Sequence, residues 1–261
     1  MRIATWNINS IRLRMSTLID FAKKFSPDVI ALQETKVEDS SFPHIECISM
    51  GYPYIRMTGE KSYNGVAILS KYPIDETFSL QFYNEQKRHI AVKTAGIEIH
   101  NFYVPAGGDE PDVKLNEKFR HKLAYLDFMH EWFMKNRSND QKIILVGDLN
   151  IAPLEHDVWS SKYLKNTVSH TEVERKILMR NLQEFGFVDA PRKFVNESEK
   201  LYSWWSYRSP DWKKSDRGRR LDHIWVSGPL SESLVGTSSV KKMREHLQPS
   251  DHVPVIVDIN K

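Results

Sequence analysis

The sequence predicts an α/β fold in which two β-sheets pack against each other and helices cover their outer faces. Many short apolar runs, separated by turn residues, alternate with only a few stretches of helical periodicity. The runs at 143–146 and 253–257 are almost continuously apolar, as expected of strands that are covered on both faces. A chain of 261 residues can bury roughly three quarters of its unfolded surface, which favours one large domain over residues 1–261.

Ten segments carry the predicted strands, and most of them are five to eight residues long. They are Arg2–Ile8, Asp28–Gln33, Tyr52–Met57, Gly65–Ser70, His89–Lys93, Ile97–Val104, Lys142–Leu149, Leu201–Tyr207, Leu221–Ser227 and Val253–Ile259. Helices are predicted at Arg12–Phe25, Asn116–Met134 and Glu172–Phe185. In the first two, apolar residues recur on one face, at Met15, Leu18, Ile19 and Ala22 and at Phe119, Leu123, Leu126 and Phe133.

Composition excludes several classes of protein. Lys and Arg number 37 against 34 Asp and Glu, and 40% of residues are hydrophobic, which is typical of a folded globular chain and not of a disordered one. No window approaches the ~18 apolar residues of a membrane span, and the first residues resemble a strand and not a signal peptide. A cytoplasmic protein without a membrane partner is expected. Cys47 is the single cysteine, so we expect it to pack in the core.

The small net charge of +3 hides an uneven distribution. Residues 192–220 hold nine Lys and Arg against four Asp and Glu, together with six aromatic residues. Cations interleaved with aromatic rings suit a phosphate backbone and unstacked bases or sugars. A core strand followed by a solvated basic loop would have the same composition, so composition alone leaves both interpretations open.

Polar side chains recur where apolar strands end. They are Asn7, Gln33, Glu34, Asp148, Asn150, Asp222, Asp251 and His252. A single Asp or Asn at a strand end is ordinary, because turns favour these residues. If the strands are neighbours, however, their ends meet at one rim. Such a rim, rich in oxygen ligands and with one imidazole, suits Mg²⁺ or Mn²⁺ better than zinc.

Strand geometry separates the roles of these residues. Asp148 and Asn150 are two apart, so on an extended strand they point to the same face. Asp251 and His252 are consecutive and point to opposite faces, so another carboxylate must orient the imidazole. Asp222, at the end of a different strand, is the predicted partner, and its charge would help to keep His252 protonated.

Seven motifs closely resemble, in order, those of the exonuclease III / apurinic-apyrimidinic endonuclease family, within the endonuclease/exonuclease/phosphatase superfamily. They lie at 6–12 (WNINSIR), 32–36 (LQETK), 65–70 (GVAILS), 103–105 (YVP), 147–150 (GDLN), 220–222 (RLD) and 250–252 (SDH). The motifs at 147–150 and 250–252 indicate phosphoester hydrolysis only, whereas those at 6–12, 32–36 and 103–105 indicate the DNA-repair branch, as does the segment 202–208. The resemblance implies a four-layered α/β sandwich with two mostly antiparallel sheets.

The resemblance also implies residue roles. Glu34 ligates Mg²⁺, for which Mn²⁺ could substitute, with Asn7 and Asp251 near the same ion. Asp148 activates or positions the attacking water, and Asn150 holds this water or a phosphoryl oxygen. Tyr103 donates to the transition state, as does His252, which Asp222 orients. The sequence leaves open whether a second ion lies beside Asp148, Asn150 and His252.

The implied reaction is hydrolysis of the phosphodiester 5′ to an abasic site in duplex DNA, with 3′→5′ exonuclease and 3′-phosphatase activities in the same pocket. A monomer is expected, associated with the nucleoid if the source is bacterial. The implied DNA-binding residues are Arg12, Lys36, Asn64, Trp204, Tyr207, Arg208, Arg217 and Arg220.

Two residues depart from the family pattern. Ala106 follows the motif at 103–105 where better-known relatives carry Asn or Gln, and Arg219 stands where some carry Trp. These departures leave open the balance between incision and exonuclease action. Two alternatives remain, namely a superfamily phosphodiesterase acting on RNA, lipid or inositol phosphate, and a non-catalytic nucleic-acid-binding module.

Overall fold

The computed structural model describes residues 1–80, 82, 86–209 and 211–260, and it contains both strands and helices. The strands are β1 (Arg2–Asn7), β2 (Val29–Gln33), β3 (Tyr54–Glu60), β4 (Tyr63–Ser70), β5 (Ile74–Phe78), β6 (His89–Thr94), β7 (Ile97–Tyr103), β8 (Ile143–Asp148), β9 (Val188–Asp189), β10 (Trp204–Trp205), β11 (Gly218–Arg219), β12 (Asp222–Val226), β13 (Leu234–Ser239) and β14 (Val255–Ile259). The α-helices are α1 (Met15–Phe25), α2 (His44–Ser49), α3 (Glu117–Asn136), α4 (Ser161–Leu164), α5 (Glu172–Phe185), α6 (Trp212–Ser215) and α7 (Gly228–Ser231). Short 3₁₀ segments lie at Asp39–Ser41, Glu155–Asp157, Pro191–Lys193 and Lys241–Glu245.

Two six-stranded sheets hold most of the strands. The first sheet has the order β13-β14-β1-β2-β4-β3, and the second has the order β5-β6-β7-β8-β12-β9. Each sheet contains one parallel pair, β1 with β2 and β7 with β8, and its other described pairings are antiparallel. β10 and β11 form a separate short hairpin-like pair. The prediction of two mostly antiparallel sheets is confirmed.

Three apolar clusters separate four layers. The central cluster fills the space between the sheets, where Ile3 of the first meets Val146 of the second. Phe21 of α1 packs on the outer face of the first sheet, and Leu126 of α3 and Leu178 of α5 pack on the outer face of the second. Both faces of each sheet are therefore buried, which explains why the central strands read as continuous apolar runs.

The predicted helices are present with small changes. α5 has the predicted bounds, and α3 starts one residue after the N-cap Asn116. α1 starts at Met15 and not at Arg12, because Asn9 and Ser10 have positive φ values and the chain turns before it enters the helix. Cys47 lies in the core of the first helical layer, as predicted, and burial raises the pKa of its thiol to about 12.

Several strands were not predicted or differ from the prediction. β5 and β13 lie at or next to sheet edges, where polar residues interrupt the apolar pattern. The predicted strand Leu201–Tyr207 is reduced to β10, because its backbone bonds instead to the segment 251–253. The basic, aromatic region 192–220 contains the short helix α6. Among the described residues, no helix has both the length and the apolar character needed to cross a membrane.

Candidate active site

The ends of five strands meet at one edge of the packed sheets. β1 and β2 are parallel and end at Asn7 and Gln33, and β7 and β8 are parallel and end at Tyr103 and Asp148. β12 is antiparallel to β8, so its first residue, Asp222, lies opposite Asp148. Asn7 Nδ2 donates to Asp148 Oδ2 across the two sheets at 2.9 Å. The predicted meeting of polar strand ends at one rim is confirmed.

Glu34 is the main hydrogen-bond acceptor on the side of the first sheet. It follows β2 with a φ of +50°, which turns its side chain out of the strand. Its Oε1 accepts from Asn7 Nδ2 at 2.9 Å and from the Tyr103 hydroxyl at 2.8 Å, and Oε2 pairs with Lys36 Nζ at 2.8 Å. Burial raises the pKa of Glu34, but the Lys36 cation and these hydrogen bonds outweigh burial and lower it. Glu34 is therefore an anion at neutral pH.

Asp148 and Asn150 form the acceptor pair on the second sheet. Asn150 donates from its backbone N to Asp148 Oδ1 at 3.0 Å and from Nδ2 to Oδ2 at 3.2 Å. The pair forms by a turn, since Asn150 lies beyond β8 with a φ of +53°, and not by the two-residue strand spacing that we expected. Burial of Asp148, which is 1% exposed, is the largest effect on its pKa and raises it; the neighbouring Asp222 and Glu34 also raise it, against His252 and Asn7.

His252 is oriented by Asp222, as predicted. Its Nδ1 lies 2.8 Å from Asp222 Oδ2, and its Nε2 lies 3.7 Å from Asp148 Oδ2. Burial lowers the pKa of His252, but the carboxylates of Asp222, Asp148 and Asp251 outweigh burial and raise it well above the ordinary value. The imidazole is therefore a cation at neutral pH with Nε2 directed towards the Asp148 carboxylate.

Asp251 points away from the imidazole of its neighbour, as predicted. Its Oδ1 accepts from Asn9 Nδ2 at 3.1 Å, and its Oδ2 accepts from Trp204 Nε1 at 2.9 Å. Burial raises the pKa of Asp251, but the His252 cation and these two donors outweigh it and lower the pKa. Asp251 therefore remains ionised in the cavity.

The donors at this edge fit a hard divalent cation. Carboxylate oxygens of Asp148 and Asp222 lie within 4.8 Å of each other and of the His252 ring, which would have to lose a proton before it could act as a ligand. Asp222 Oδ1 is buried and accepts no hydrogen bond from the described part of the chain. Glu34 and Asp251, both anionic, line the same cavity. Carboxylate oxygens are the ligands that Mg²⁺, Mn²⁺ and Ca²⁺ prefer, so this cluster indicates dependence on a divalent metal.

A cavity of about 1000 Å³ opens over these residues. Glu34, Asp148 and Asp251 form its acidic half. Five other lining residues, which we call the arginine-tryptophan wall, are Trp159, Trp204, Arg208, Arg217 and Arg219. The Arg217 guanidinium lies 4.8 Å from the centre of the Trp159 ring, and that of Arg219 lies 5.3 Å from the centre of the Trp204 ring. The acidic half and this wall together explain how a nearly neutral chain presents both charges at one site.

The predicted DNA-binding residues occupy different positions. Trp204, Arg208 and Arg217 line the cavity. Lys36 lies beside it, paired with Glu34. The Tyr207 hydroxyl donates to the Pro249 carbonyl oxygen at 2.8 Å, next to the motif at 250–252.

Arg12 is exposed but borders a separate surface depression at 40–46. Two other predicted DNA-binding residues are buried. Arg220 is 1% exposed and its Nη2 bonds to Asp189 at 2.6 Å, so it neutralises buried carboxylates. Asn64 is also 1% exposed and donates to Glu60. Neither side chain is available at the surface to meet a phosphate.

Sequence reasoning missed three residues that shape the site. Asn9, two positions after Asn7, donates to Asp251, and its place within the motif at 6–12 could have indicated this. Trp159 reaches the cavity from a loop without a motif. The Arg88 guanidinium lies 4.7 Å from the centre of the Tyr103 ring. The last two contacts depend on loop packing, for which the sequence carried no signal.

Comparison with known proteins identifies similar chains along the whole length. Residues 4–252 match the model of the Endonuclease/Exonuclease/phosphatase family. The chain is 30% identical to exodeoxyribonuclease III of Haemophilus influenzae, and the match covers 98% of both chains. An AP endonuclease from Archaeoglobus fulgidus has a TM-score of 0.94 at 35% identity, and a 3′ phosphatase from Neisseria, solved with a product DNA hairpin, has 0.89 at 29%; both matches cover 100% of each chain. The predicted four-layered fold is confirmed by these likenesses.

Proposed function

The chain belongs to the endonuclease/exonuclease/phosphatase family, and on that premise we propose that it is a Mg²⁺-dependent DNA-repair nuclease. It hydrolyses the phosphodiester 5′ to an abasic site in duplex DNA and leaves a 3′-hydroxyl group. The same pocket performs 3′→5′ exonuclease and 3′-phosphatase reactions. The observation that carries the proposal is one cavity in which Glu34, Asp148, Asp251 and His252 face the arginine-tryptophan wall.

Asp148 is the proposed base for the attacking water. Burial raises the pKa of its carboxyl, which makes the ionised form a stronger proton acceptor than an exposed Asp. The two hydrogen bonds from Asn150 and the one from Asn7 fix the carboxylate in one orientation. A fixed base loses little entropy when the water is aligned for attack.

His252 and Tyr103 are the proposed donors to the phosphoryl oxygens. The His252 cation donates from Nε2, while Asp222 holds Nδ1 at 2.8 Å. Charge-assisted donors that are oriented in advance stabilise the negative charge that develops in the transition state. The Tyr103 hydroxyl now donates to Glu34, and burial raises its pKa well above the ordinary value, so it remains a donor at every physiological pH.

Glu34, Asp251 and Asn7 are the proposed holders of the metal, with Asp148, Asn150 and His252 next to any second ion. Bound Mg²⁺, or Mn²⁺ in its place, supplies Lewis-acid stabilisation of the phosphate and of the leaving oxygen. Trp204 provides an aromatic wall for the sugar, and Arg208 and Arg217 carry positive charge towards the DNA backbone. An abasic nucleotide has no base to unstack, so it enters the cavity at lower cost than an intact one.

A labelled duplex with one abasic analogue tests the proposal. The wild type should incise it 5′ to the lesion with Mg²⁺ and not with EDTA, and Asp148→Asn should reduce kcat by about a thousandfold or more. Asp127→Asn is the matched control, because Asp127 pairs with Arg180 at the surface. Equal incision in EDTA would contradict the metal requirement. An intact duplex beside a cleaved RNA, lipid or inositol phosphodiester would favour a different substrate within the superfamily.

The proposal also covers organisation and location. Residues 1–261 form one domain that acts as a monomer in the cytoplasm, where a bacterial chromosome is reached directly. The continuous central cluster between the sheets supports a single domain. Light scattering after size-exclusion chromatography should give the mass of one chain, 30.5 kDa.

A further inference from the structure

Arg219 carries a charge that the chain leaves largely uncompensated. Its Nη1 donates to Ser169 Oγ at 2.7 Å and to the Val168 carbonyl oxygen at 3.2 Å. Within the described residues, its Nε is buried without an acceptor and no carboxylate forms an ion pair with it. Its neighbour Arg220, by contrast, is paired with Asp189 and Asp157. A partly buried cation without a counter-ion is unfavourable, unless a ligand supplies the anion.

The position of Arg219 places that missing anion beside the reaction centre. Its guanidinium lies 5.3 Å from the centre of the Trp204 ring, and Trp204 Nε1 donates to Asp251 Oδ2. One indole ring therefore separates Arg219 from the acidic half of the cavity. An anion on the Arg219 side of this ring avoids direct contact with Asp251. The Glu174 carboxylate attracts the Arg219 charge, but it is already paired with Lys122.

We propose that Arg219 forms a subsite for a second oxyanion of the substrate, attached downstream of the phosphate that is cleaved. This inference rests on the proposed function. In the reaction, a water oxygen bonds to phosphorus, the bond from phosphorus to the upstream O3′ breaks, and the O3′ takes up a proton. The downstream residue keeps the phosphate and lies in the sugar pocket. Arg219 then discriminates between downstream residues that carry an extra negative charge and those that do not.

Two oxyanions could occupy this subsite. One is the carboxylate of a 3′-terminal phosphoglycolate, and the other is the next backbone phosphate after an internal abasic sugar. Three duplexes distinguish them: one ends in 3′-phosphoglycolate, one ends in 3′-phospho-(2-hydroxyethyl), whose hydroxyethyl group is uncharged, and one carries an internal abasic analogue. A charge-assisted hydrogen bond changes an affinity by a factor of about ten to a hundred. We expect each preference in kcat/KM to have this size.

The variant Arg219→Gln removes the charge. The variant Arg219→Lys keeps the charge, so a loss seen only in Arg219→Gln reflects the charge and not a folding defect. If the carboxylate is the ligand, the wild type should favour the phosphoglycolate end over the hydroxyethyl end about tenfold or more in kcat/KM. Arg219→Gln should abolish that preference, and Arg219→Lys should retain most of it. If the backbone phosphate is the ligand, Arg219→Gln should instead slow the internal site by a similar factor and leave the hydroxyethyl end unchanged.

The matched control is Arg208→Gln, since Arg208 lines the same cavity but is exposed. This variant should lower kcat/KM for all three duplexes by a similar factor. A uniform effect of Arg219→Gln on the three duplexes, or no effect, would overturn the subsite. Dissociation constants of the three duplexes measured in EDTA report binding without cleavage. A wild type that cleaves none of the duplexes contradicts the proposed function, while its binding preference still decides the role of Arg219.

Discussion

His252 depends on Asp222 for its charge and its orientation. The carboxylate lies 2.8 Å from Nδ1 and is itself completely buried. The pKa of His252 is raised because three carboxylates outweigh the effect of burial. Asp222 is the first of these, and it is the only one bonded directly to the ring among the described residues.

We predict that Asp222→Asn lowers the pKa of His252 by about one unit or more, because an opposite charge at hydrogen-bond distance has an effect of this size. Ring-nitrogen chemical shifts in the metal-free protein would measure it directly. In turnover with Mg²⁺, the alkaline limb of the kcat profile should move to lower pH by a similar amount, and kcat should recover at lower pH, where the imidazole is protonated again. Asp258→Asn, which removes the partner of Arg2, should leave His252 unchanged. An unaltered titration of His252 in Asp222→Asn would show that Asp148 and Asp251 alone raise its pKa.

At the scale of secondary-structure elements, α3 and α5 hold loops that line the candidate active site. Lys122 of α3 is fully buried, and its Nζ donates to the carbonyl oxygen of Asn150 at 2.8 Å and to that of Ala106 at 3.2 Å. It also pairs with Glu174 of α5 at 2.5 Å. Glu174 in turn accepts from the backbone N of Ser169. One ion pair thus joins three loops that line the cavity.

We predict that Lys122→Met alone destabilises the protein by about 3–5 kcal/mol, because it leaves a buried carboxylate unpaired. Combining it with Glu174→Gln removes both charges and keeps the acceptor for Ser169, so most of the stability should return. The donors to Asn150 and Ala106 remain absent, so kcat should stay about tenfold low with little change in KM. Amide hydrogen exchange should rise in peptides covering 104–108 and 149–152 only.

The matched control for this pair is Arg137→Met with Glu98→Gln. Their ion pair has an Nε to Oε1 distance of 2.6 Å and lies towards the opposite end of β7 from Tyr103. This control should change stability by a similar amount without losing kcat. Full recovery of kcat in the Lys122/Glu174 double variant would mean that the pair only stabilises the fold.

At the scale of the whole molecule, the sequence predicted features that depend on local periodicity and chain order. The two sheets, the three long helices, the rim of polar strand ends and the Asp222–His252 pair all follow from strand alternation and from motifs. Edge strands such as β5 were missed, because an exposed edge imposes no apolar pattern.

The sequence could not predict which Lys and Arg side chains form ion pairs inside the protein, because their partners come together only in the fold. Arg219 and Arg220 are adjacent and equally basic in sequence. Only the fold brings Asp189 and Asp157 to Arg220 and leaves Arg219 facing the cavity. A count of charges over 192–220 therefore indicates a basic region without showing which side chains are neutralised inside the protein.

The second sheet also contains a buried pair of histidines that makes the whole fold sensitive to acid. The backbone N of Leu80 donates to His89 Nδ1 at 2.9 Å, His89 Nε2 lies 3.1 Å from His100 Nδ1, and His100 Nε2 lies 2.7 Å from Glu98 Oε1. Since His89 Nδ1 is an acceptor, its Nε2 carries the hydrogen and His100 Nδ1 accepts it. Both rings are therefore neutral, and a further proton would break an existing bond.

Burial is the largest cause that lowers the pKa of both rings, and this fixes the sign of the pH dependence. The unfolded chain binds protons at the ordinary pKa of about 6.5, and the folded chain binds them only at lower pH. Stability is therefore fully present above pH 6.5 and falls as the pH drops below it, by up to roughly 1.4 kcal/mol per unit for each histidine. His252 has the opposite sign: its contribution is fully present below the unfolded pKa of about 6.5 and is lost only as the pH rises above it.

Urea unfolding in EDTA between pH 6.5 and pH 5.0 measures this dependence. His89→Asn keeps an acceptor for Leu80 and a donor for His100 but cannot titrate, so its stability should fall less steeply with acid than that of the wild type. The comparison between the two proteins cancels Asp148, whose raised pKa acts in the opposite direction. The exposed His44→Gln should keep the wild-type slope. Parallel slopes for wild type and His89→Asn would mean that the histidine pair accepts a proton without opening the sheet, and that acid acts elsewhere in the fold.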